Sequence, residues 1–188
     1  GMRRVLPATT PIIGFGMALV GHIRGGLGYV AIIAAFIFAG LSGSAVADTA
    51  ALCAILVPMM GDAGYSKSGS AALIGSGGIV AMILPPSIAF IVFGAIGGVS
   101  VVKLFMAGIF PGILLCLSLA ITWWYISRKK QVKVFPRSNL KQVIQATKDA
   151  GWALVLPILI MVGIKGGVVT PTEAAVVAVF YTLFLDFV

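Results

Sequence analysis

Oxygen-bearing side chains gather at two places in a chain otherwise poor in polar groups. Ser42, Ser44, Asp48 and Thr49 fall in the run Gly40-Leu41-Ser42-Gly43-Ser44-Ala45-Val46-Ala47-Asp48-Thr49. Ser76 and Ser87 belong to a second interruption, where Gly75-Ser76-Gly77-Gly78 precedes Leu84-Pro85-Pro86-Ser87. Hydroxyls, a carboxylate and unpaired backbone carbonyls, such as those near Gly43, Pro85 and Pro86, are the oxygen ligands that hard cations take. Interrupted helices add positive N-termini for anions and free carbonyls for Na⁺. The chemistry implied is joint binding of a cation and an anion. Covalent catalysis lacks its parts, because His22 is the only histidine and no Ser/His or HExxH pair is present. The chain is therefore not expected to be an enzyme, and it carries no CxxC or His/Cys cluster that would hold a cofactor metal.

Each residue also has a structural role to weigh. Glycine and serine let membrane helices approach closely. Asp48 is placed to cap a helix, Pro85-Pro86 to kink one, and His22, beside Arg24, to sit at an interface.

The elements that must carry these residues are membrane segments. Hydrophobic residues make up 60% of the 188 and charged residues only 10%, with a mean hydropathy of +1.14, far from the roughly 25% charge of soluble domains. The net charge of +8 sits in connectors between apolar runs, where it reports topology and not nucleic-acid binding. Cys53 and Cys116 lie inside apolar runs and read as small buried hydrophobes.

The apolar runs flanking the first interruption, Tyr29 to Ala39 and Ala50 to Met60, would span about 16 to 21 Å as helices, against about 30 Å of hydrocarbon. They predict a re-entrant hairpin. Irregular backbone at membrane depth must be buried in protein or line a cavity, and an intramembrane Asp marks a functional site. Gly61 to Ser68 is expected to be a solvated turn. Residues 70–98 predict a broken helix opened at Leu84 to Ser87, because Pro85 and Pro86 each bias the preceding residue away from helical angles. Val101 to Ile126 predicts a spanning helix ending in an interfacial Trp123-Trp124-Tyr125 belt. Arg128 to Lys148 is a basic connector in which Ser138-Asn139 caps an amphipathic stretch, Leu140 to Ala150. Trp152 to Ile164 is the next apolar segment. Thr170-Pro171-Thr172-Glu173 predicts a capping box with proline in the first turn.

Threading this path puts Arg3, Arg4, Arg24, Lys67, Arg128, Lys129, Lys130, Lys133, Arg137, Lys141 and Lys148 on one side, and only Lys103 and Lys165 on the other. That is the positive-inside bias of a hairpin opening toward the cytoplasm.

The runs "FAGLSGSAVADTAAL", "GYSKSGSAALIG", "ILPPSIAFIVFGAIGGVSVVKLFMAGIFPGILL" and "WALVLPILIMVGIKGGVVTPTEAAVVAVFYTL" resemble the large membrane subunit of TRAP (tripartite ATP-independent periplasmic) transporters, DctM-like, over residues 18–188. Residues 1–17 fall outside the resemblance. The resemblance implies an all-α integral membrane protein of the bacterial or archaeal cytoplasmic (inner) membrane, multi-pass, with an elevator-type fold of inverted repeats. Its function would be sodium-driven import of an organic acid such as a C4-dicarboxylate or sialic acid. A periplasmic substrate-binding protein delivers the acid and a small TRAP membrane subunit braces the large one.

Carried over by motif, Ser42, Gly43, Ser44, Asp48 and Thr49 belong to the first hairpin tip. Ser76, Pro85, Pro86 and Ser87 belong to the broken helix opposite it, and Thr170, Pro171, Thr172 and Glu173 open a second repeat. The parts would then be an interfacial arm (1–26), first-repeat transport elements (27–98, with hairpin 27–60 and broken helix 70–98), a transmembrane helix (99–126), a cytoplasmic basic connector (127–150) and the start of the second repeat (151–188). Earlier scaffold helices and a second hairpin are expected outside this stretch, which would hold about half a transporter. The alternatives are a channel-like pore, which would neither need a binding protein nor saturate, and a purely structural membrane subunit, which would tolerate substitutions at Ser42, Ser44 and Asp48 without loss of uptake.

Overall fold

A computed structural model describes residues 9–128, 132 and 134–187. Arg3, Arg4, Lys129, Lys130 and Lys133 lie outside them. Among the described residues the chain is helical and without strands: α1 (Thr9–Val20), α2 (Gly26–Ser42), α3 (Ala45–Asp62), α4 (Lys67–Gly78), α5 (Val80–Ile83), α6 (Ile88–Gly97), α7 (Val101–Ser127), α8 (Leu140–Lys165) and α9 (Pro171–Phe187). By length and composition α3, the α4–α6 run and α7 are each long and apolar enough to cross a membrane, whereas α8 passes the same test only if its two halves, bent by 50°, are taken together.

Helices α2 and α3 form an antiparallel hairpin, and one tryptophan proves the direction. The Trp123 indole Nε1 donates to the carbonyl of Gly25, just ahead of α2, at 2.8 Å. Its ring stacks at 5.6 Å on Tyr65, just after α3. The start of α2 and the end of α3 therefore lie together, at one end of α7. Gly28 makes the approach possible, since a β-carbon there would lie 2.0 Å from the indole.

Two expectations change here. The limbs are 17 and 18 residues long, about 26 Å, and not the 11-residue apolar runs. Only Gly43 and Ser44 break the helix; Ser42 and Ala45 to Thr49 are helical, because the Ser44 side chain caps α3 and a first turn tolerates small polar residues. Likewise the expected solvated turn shrinks to Ala63–Ser66 and is only partly solvated, with Ala63 and Tyr65 buried: Gly61 and Asp62 end α3, and Ser66 caps α4, with Lys67 its first residue. Gly64, at φ +93°, makes that turn.

Helix α1 packs on α2 and α8 and buries Ile12 and Ile13, so the predicted arm helix is anchored in the core. Helix α8 runs unbroken through what the sequence divides into a connector stretch and an apolar segment, with a 50° bend between Gly151 and Leu154. The aromatic belt divides: Trp123 is buried, whereas Trp124 and Tyr125 are exposed, with the Arg128 guanidinium 3.8 Å over the Trp124 ring. The exposed apolar face of α7, including Phe110, Leu114, Leu117 and Ile121, carries no penalty where the solvent is lipid, which is as apolar as leucine.

Arg24, Lys67 and Arg128 gather near the Trp123 end. At the far end Val101 and Val102 pack on the cluster containing Ile160 and Ile164, which brings Lys103 and Lys165 to one end, as the charge path expects.

Candidate functional site at the hairpin tip

Four helix ends converge where the hairpin meets the broken helix. Helix α2 stops because Gly43 adopts φ +61°, its N–H returning to the Ala39 carbonyl in a glycine C-terminal cap. Helix α3 starts one residue later, with Ser44 Oγ accepting from Ala47 N–H. Helix α5 ends at Leu84, held extended at ψ 130° ahead of Pro85, as a residue before proline must be; a cis peptide joins Pro85 to Pro86. Helix α6 then starts on Ser87, whose Oγ accepts from Phe90 N–H and donates to the Met82 carbonyl at 2.7 Å.

The tip and the break touch through backbone. A β-carbon on Gly43 would lie 2.4 Å from the Pro86 carbonyl oxygen, and Ile88 N–H donates to the Gly43 carbonyl at 3.5 Å. The structure therefore brings together Ser42, Gly43, Ser44 and Asp48 with Pro85, Pro86 and Ser87.

Within the tip a short chain of hydrogen bonds leads to the carboxylate. Ser44 N–H donates to Ser42 Oγ at 3.0 Å, and Ser42 Oγ donates to Asp48 Oδ1. Asp48 is only 2% exposed, and its second oxygen, Oδ2, is buried with no partner. A buried, unsatisfied carboxylate oxygen is costly, and a cation would satisfy it. The N-cap of α3 is Ser44, not Asp48, so the acid is free of the capping role the sequence also allowed.

Thr49 and Ser76 stand apart from this contact. Thr49 faces α4, where a β-carbon on Gly78 would lie 1.9 Å from its Oγ1. Gly77 faces Ala35, whose β-carbon would lie 3.1 Å from one built on the glycine. Close packing thus explains Gly77 and Gly78, while Ser76 is half-buried in α4 and makes none of the bonds joining tip to break.

The far group, Thr170 to Glu173, forms the predicted box. Thr170 N–H and Oγ1 donate to Glu173 Oε2 at 2.7 and 2.9 Å, and Glu173 N–H donates back to Thr170 Oγ1 at 3.3 Å. Pro171 opens α9; the side chains of Pro171 and Thr172 lie outside the described residues. Helices α8 and α9 back the tip through a cluster of Phe105, Leu156, Ile160, Ile164 and Ala174. Leu41 and Phe90 pack on that cluster, and Gly40 admits Pro157, whose ring lies 3.1 Å from a β-carbon built there.

Sequence reasoning missed the wall behind the break. Gly108 and Gly112 notch α7 there: β-carbons would lie 2.3 Å from the Ile83 carbonyl and 3.0 Å from the Leu84 side chain. The signal was present as a Gly-x-x-x-Gly spacing, hidden in a helix whose apolar content seemed sufficient explanation. The notch also gives the depth of the site. Counting along α7 from Trp123, it lies about 16 to 22 Å in, within the length of that candidate span.

The chain is similar to known proteins over most of its length. Residues 7–188 match the family model described as the tripartite ATP-independent periplasmic transporter, DctM component, so the match reaches back into the stretch that the motif resemblance left out. The 2,3-diketo-L-gulonate TRAP transporter large permease protein YiaN of Escherichia coli is 49% identical over 174 residues, 93% of this chain and 41% of that protein. The C4-dicarboxylate large permease DctM of Pseudomonas aeruginosa is 40% identical over 174 residues, with the same coverage. The sialic acid large permease SiaM of Vibrio cholerae is 37% identical over 177 residues, 94% of this chain and 42% of that protein. The chain spans about two fifths of the length of these relatives. It belongs to the DctM family of TRAP transporter large permeases, membrane proteins that transport and are not enzymes.

Proposed function

We propose that these residues supply the first-hairpin half of the transport site in a sodium-coupled importer of an organic acid. The observation that carries the reading is the unpartnered Asp48 Oδ2, buried where four helix ends meet. In this reading Na⁺ sits against Asp48, Ser42 and the carbonyls ending α2 and α5. Two negative helix ends and one carboxylate then face one cation. The N-termini of α3 and α6, capped by Ser44 and Ser87, lie beside it and favour the substrate's carboxylate. Cation and anion each neutralise the other's desolvation, so each binds better when both are present. That is the thermodynamic basis of coupling.

Three relatives named for 2,3-diketo-L-gulonate, C4-dicarboxylate and sialic acid transport all handle carboxylates, which supports an organic acid as cargo. Family membership supports the remaining parts of the reading. They are inverted repeats moving as an elevator, a small membrane subunit, a periplasmic binding protein that delivers the acid, and a multi-pass position in a bacterial or archaeal inner membrane. In the full-length permease, reconstituted with its partners, Asp48→Asn or Ser44→Ala should lower Na⁺-dependent uptake without lowering the amount of protein in the membrane. Unchanged uptake in both would remove these side chains from the site.

A further inference from the structure

The first half of α8, Leu140–Gly151, has three faces, and the transport site uses none of them. Val143, Ala146 and Ala150 turn inward; Ala150 is fully buried and the other two half-buried. At about 100° per residue a second, polar face holds Gln142, Gln145 and Asp149, with Gln145 Nε2 donating to Asp149 Oδ1 at 2.8 Å. The third face lies between them. There Leu140 and Ile144 are 72% and 50% exposed, and the exposed Lys141 and Lys148 sit on its polar border. All four fall within an arc of about 100°.

An exposed apolar edge bordered by lysines is the pattern of a helix lying in the plane of a membrane surface. Its leucine and isoleucine enter the acyl boundary, while the lysine stems reach up to the headgroups. The 50° bend after Gly151 turns this half away from the axis of the apolar second half. Lys141 adds an independent point. It lies in the first turn of α8, which carries no acidic residue, where the helix dipole disfavours a cation. Helix stability does not account for its position.

We propose that residues 140–151 lie flat in the headgroup layer and that Lys141 and Lys148 bind the phosphates of anionic lipid there. The Asn139–Gln142 capping box and the Gly151 bend fix the length and angle of this segment. The lipid surface thereby sets the position of α8, whose far half, through Pro157, abuts the hairpin at Gly40.

Two measurements on the full-length permease test the proposal without requiring transport, so the outcome is independent of the sodium-coupled reading. First, the purified protein is exchanged into micelles of mixed phosphatidylglycerol and phosphatidylethanolamine, and the retained lipid is counted by native mass spectrometry. Phosphatidylglycerol should be enriched. Lys141→Gln with Lys148→Gln should cut the enrichment by about fivefold per lysine, and Lys141→Arg with Lys148→Arg should keep it. Equal enrichment in the glutamine variant overturns the proposal. Second, a spin label at Ile144→Cys in phosphatidylglycerol vesicles should collide with dissolved oxygen and not with an aqueous nickel chelate. Access by the chelate would place this face in water. Access by neither reagent would place it under another protein segment. Either result overturns the proposal.

Discussion

The two ends of the α2–α3 hairpin are built from opposite materials. At the open end, large rings close the structure: Trp123 is held by the Gly25 carbonyl and by Tyr65, and is itself 3% exposed. Burial there pushes the Tyr65 phenol up from its ordinary value. The tip is built from smaller parts. Glycine, serine and proline bring backbone against backbone, and the one charged group keeps a free oxygen. Aromatic packing is strong and has one arrangement. Contacts between helix ends are short of hydrogen bonds and leave room for a third party. Both ends leave one buried oxygen without a partner, and the difference is its kind: the neutral Tyr65 phenol at the open end, a carboxylate oxygen of Asp48 at the tip.

The comparison is most exposed to a change in its anchor. Trp123→Ala removes the stack, the hydrogen bond and the filling of the space above Gly28. Large-to-small changes of this kind cost about 3 to 5 kcal/mol. Thermal unfolding of the detergent-solubilised full-length protein should fall by many degrees, and Trp123→Phe should recover part of the loss. If Trp123→Ala leaves the unfolding temperature unchanged, the open end is not the anchor.

Next in size is Gly43→Val at the tip. It places a β-branched side chain at a positive φ and into the Pro86 carbonyl, at a cost of about 1 to 3 kcal/mol of strain. Here uptake should collapse while unfolding shifts less than for Trp123→Ala. A larger stability loss at Gly43 than at Trp123 would reverse the assignment of roles.

Asp48→Asn separates the ends by sign. Removing the charge from a buried group with an unpartnered oxygen should leave stability without Na⁺ unchanged or raised, and should weaken stabilisation by added Na⁺. The readout is the Na⁺ dependence of the unfolding temperature. The smallest effect belongs to Ser44→Ala, the loss of one N-terminal cap, at about 0.5 to 2 kcal/mol. If it lowers stability without touching the Na⁺ dependence, Ser44 is a cap alone.

Local chemistry made most helix ends legible. Serine caps at 44, 66, 87 and 100, glycine stops at 43 and 98 and the Pro85-Pro86 break all follow from residues within one turn of where they act. Helix continuity was less legible. A first turn of Ala-Val-Ala-Asp reads as polar loop until its cap is known, and the bend at Gly151 reads as a boundary when it is an inflection. Least legible were contacts between distant residues. The Trp123–Gly25 bond joins residues 98 apart, and a tryptophan near a helix end looks the same whether it faces lipid or a neighbouring carbonyl. The notch at Gly108 and Gly112 failed for a related reason, since spacing announces a close approach without naming what approaches. In the candidate site, the pairing of tip with break came through the family's motifs. The freedom of Asp48 Oδ2 needed coordinates, because it depends on where Ser42 and Ser44 spend their hydrogen bonds.

The tie at Trp123 has a mechanical consequence. A hairpin about 26 Å long, held at its base and bonded weakly at its tip, is a lever. Each degree of tilt about the indole carries the tip roughly 0.5 Å over that helical length. The single hydrogen bond from Ile88 to Gly43 already stands at 3.5 Å, the outer limit of such contacts. One or two degrees of tilt therefore decide whether that bond is made, while the close packing of Thr49 on Gly78 and of Gly40 on Pro157 limits how far the tip can swing.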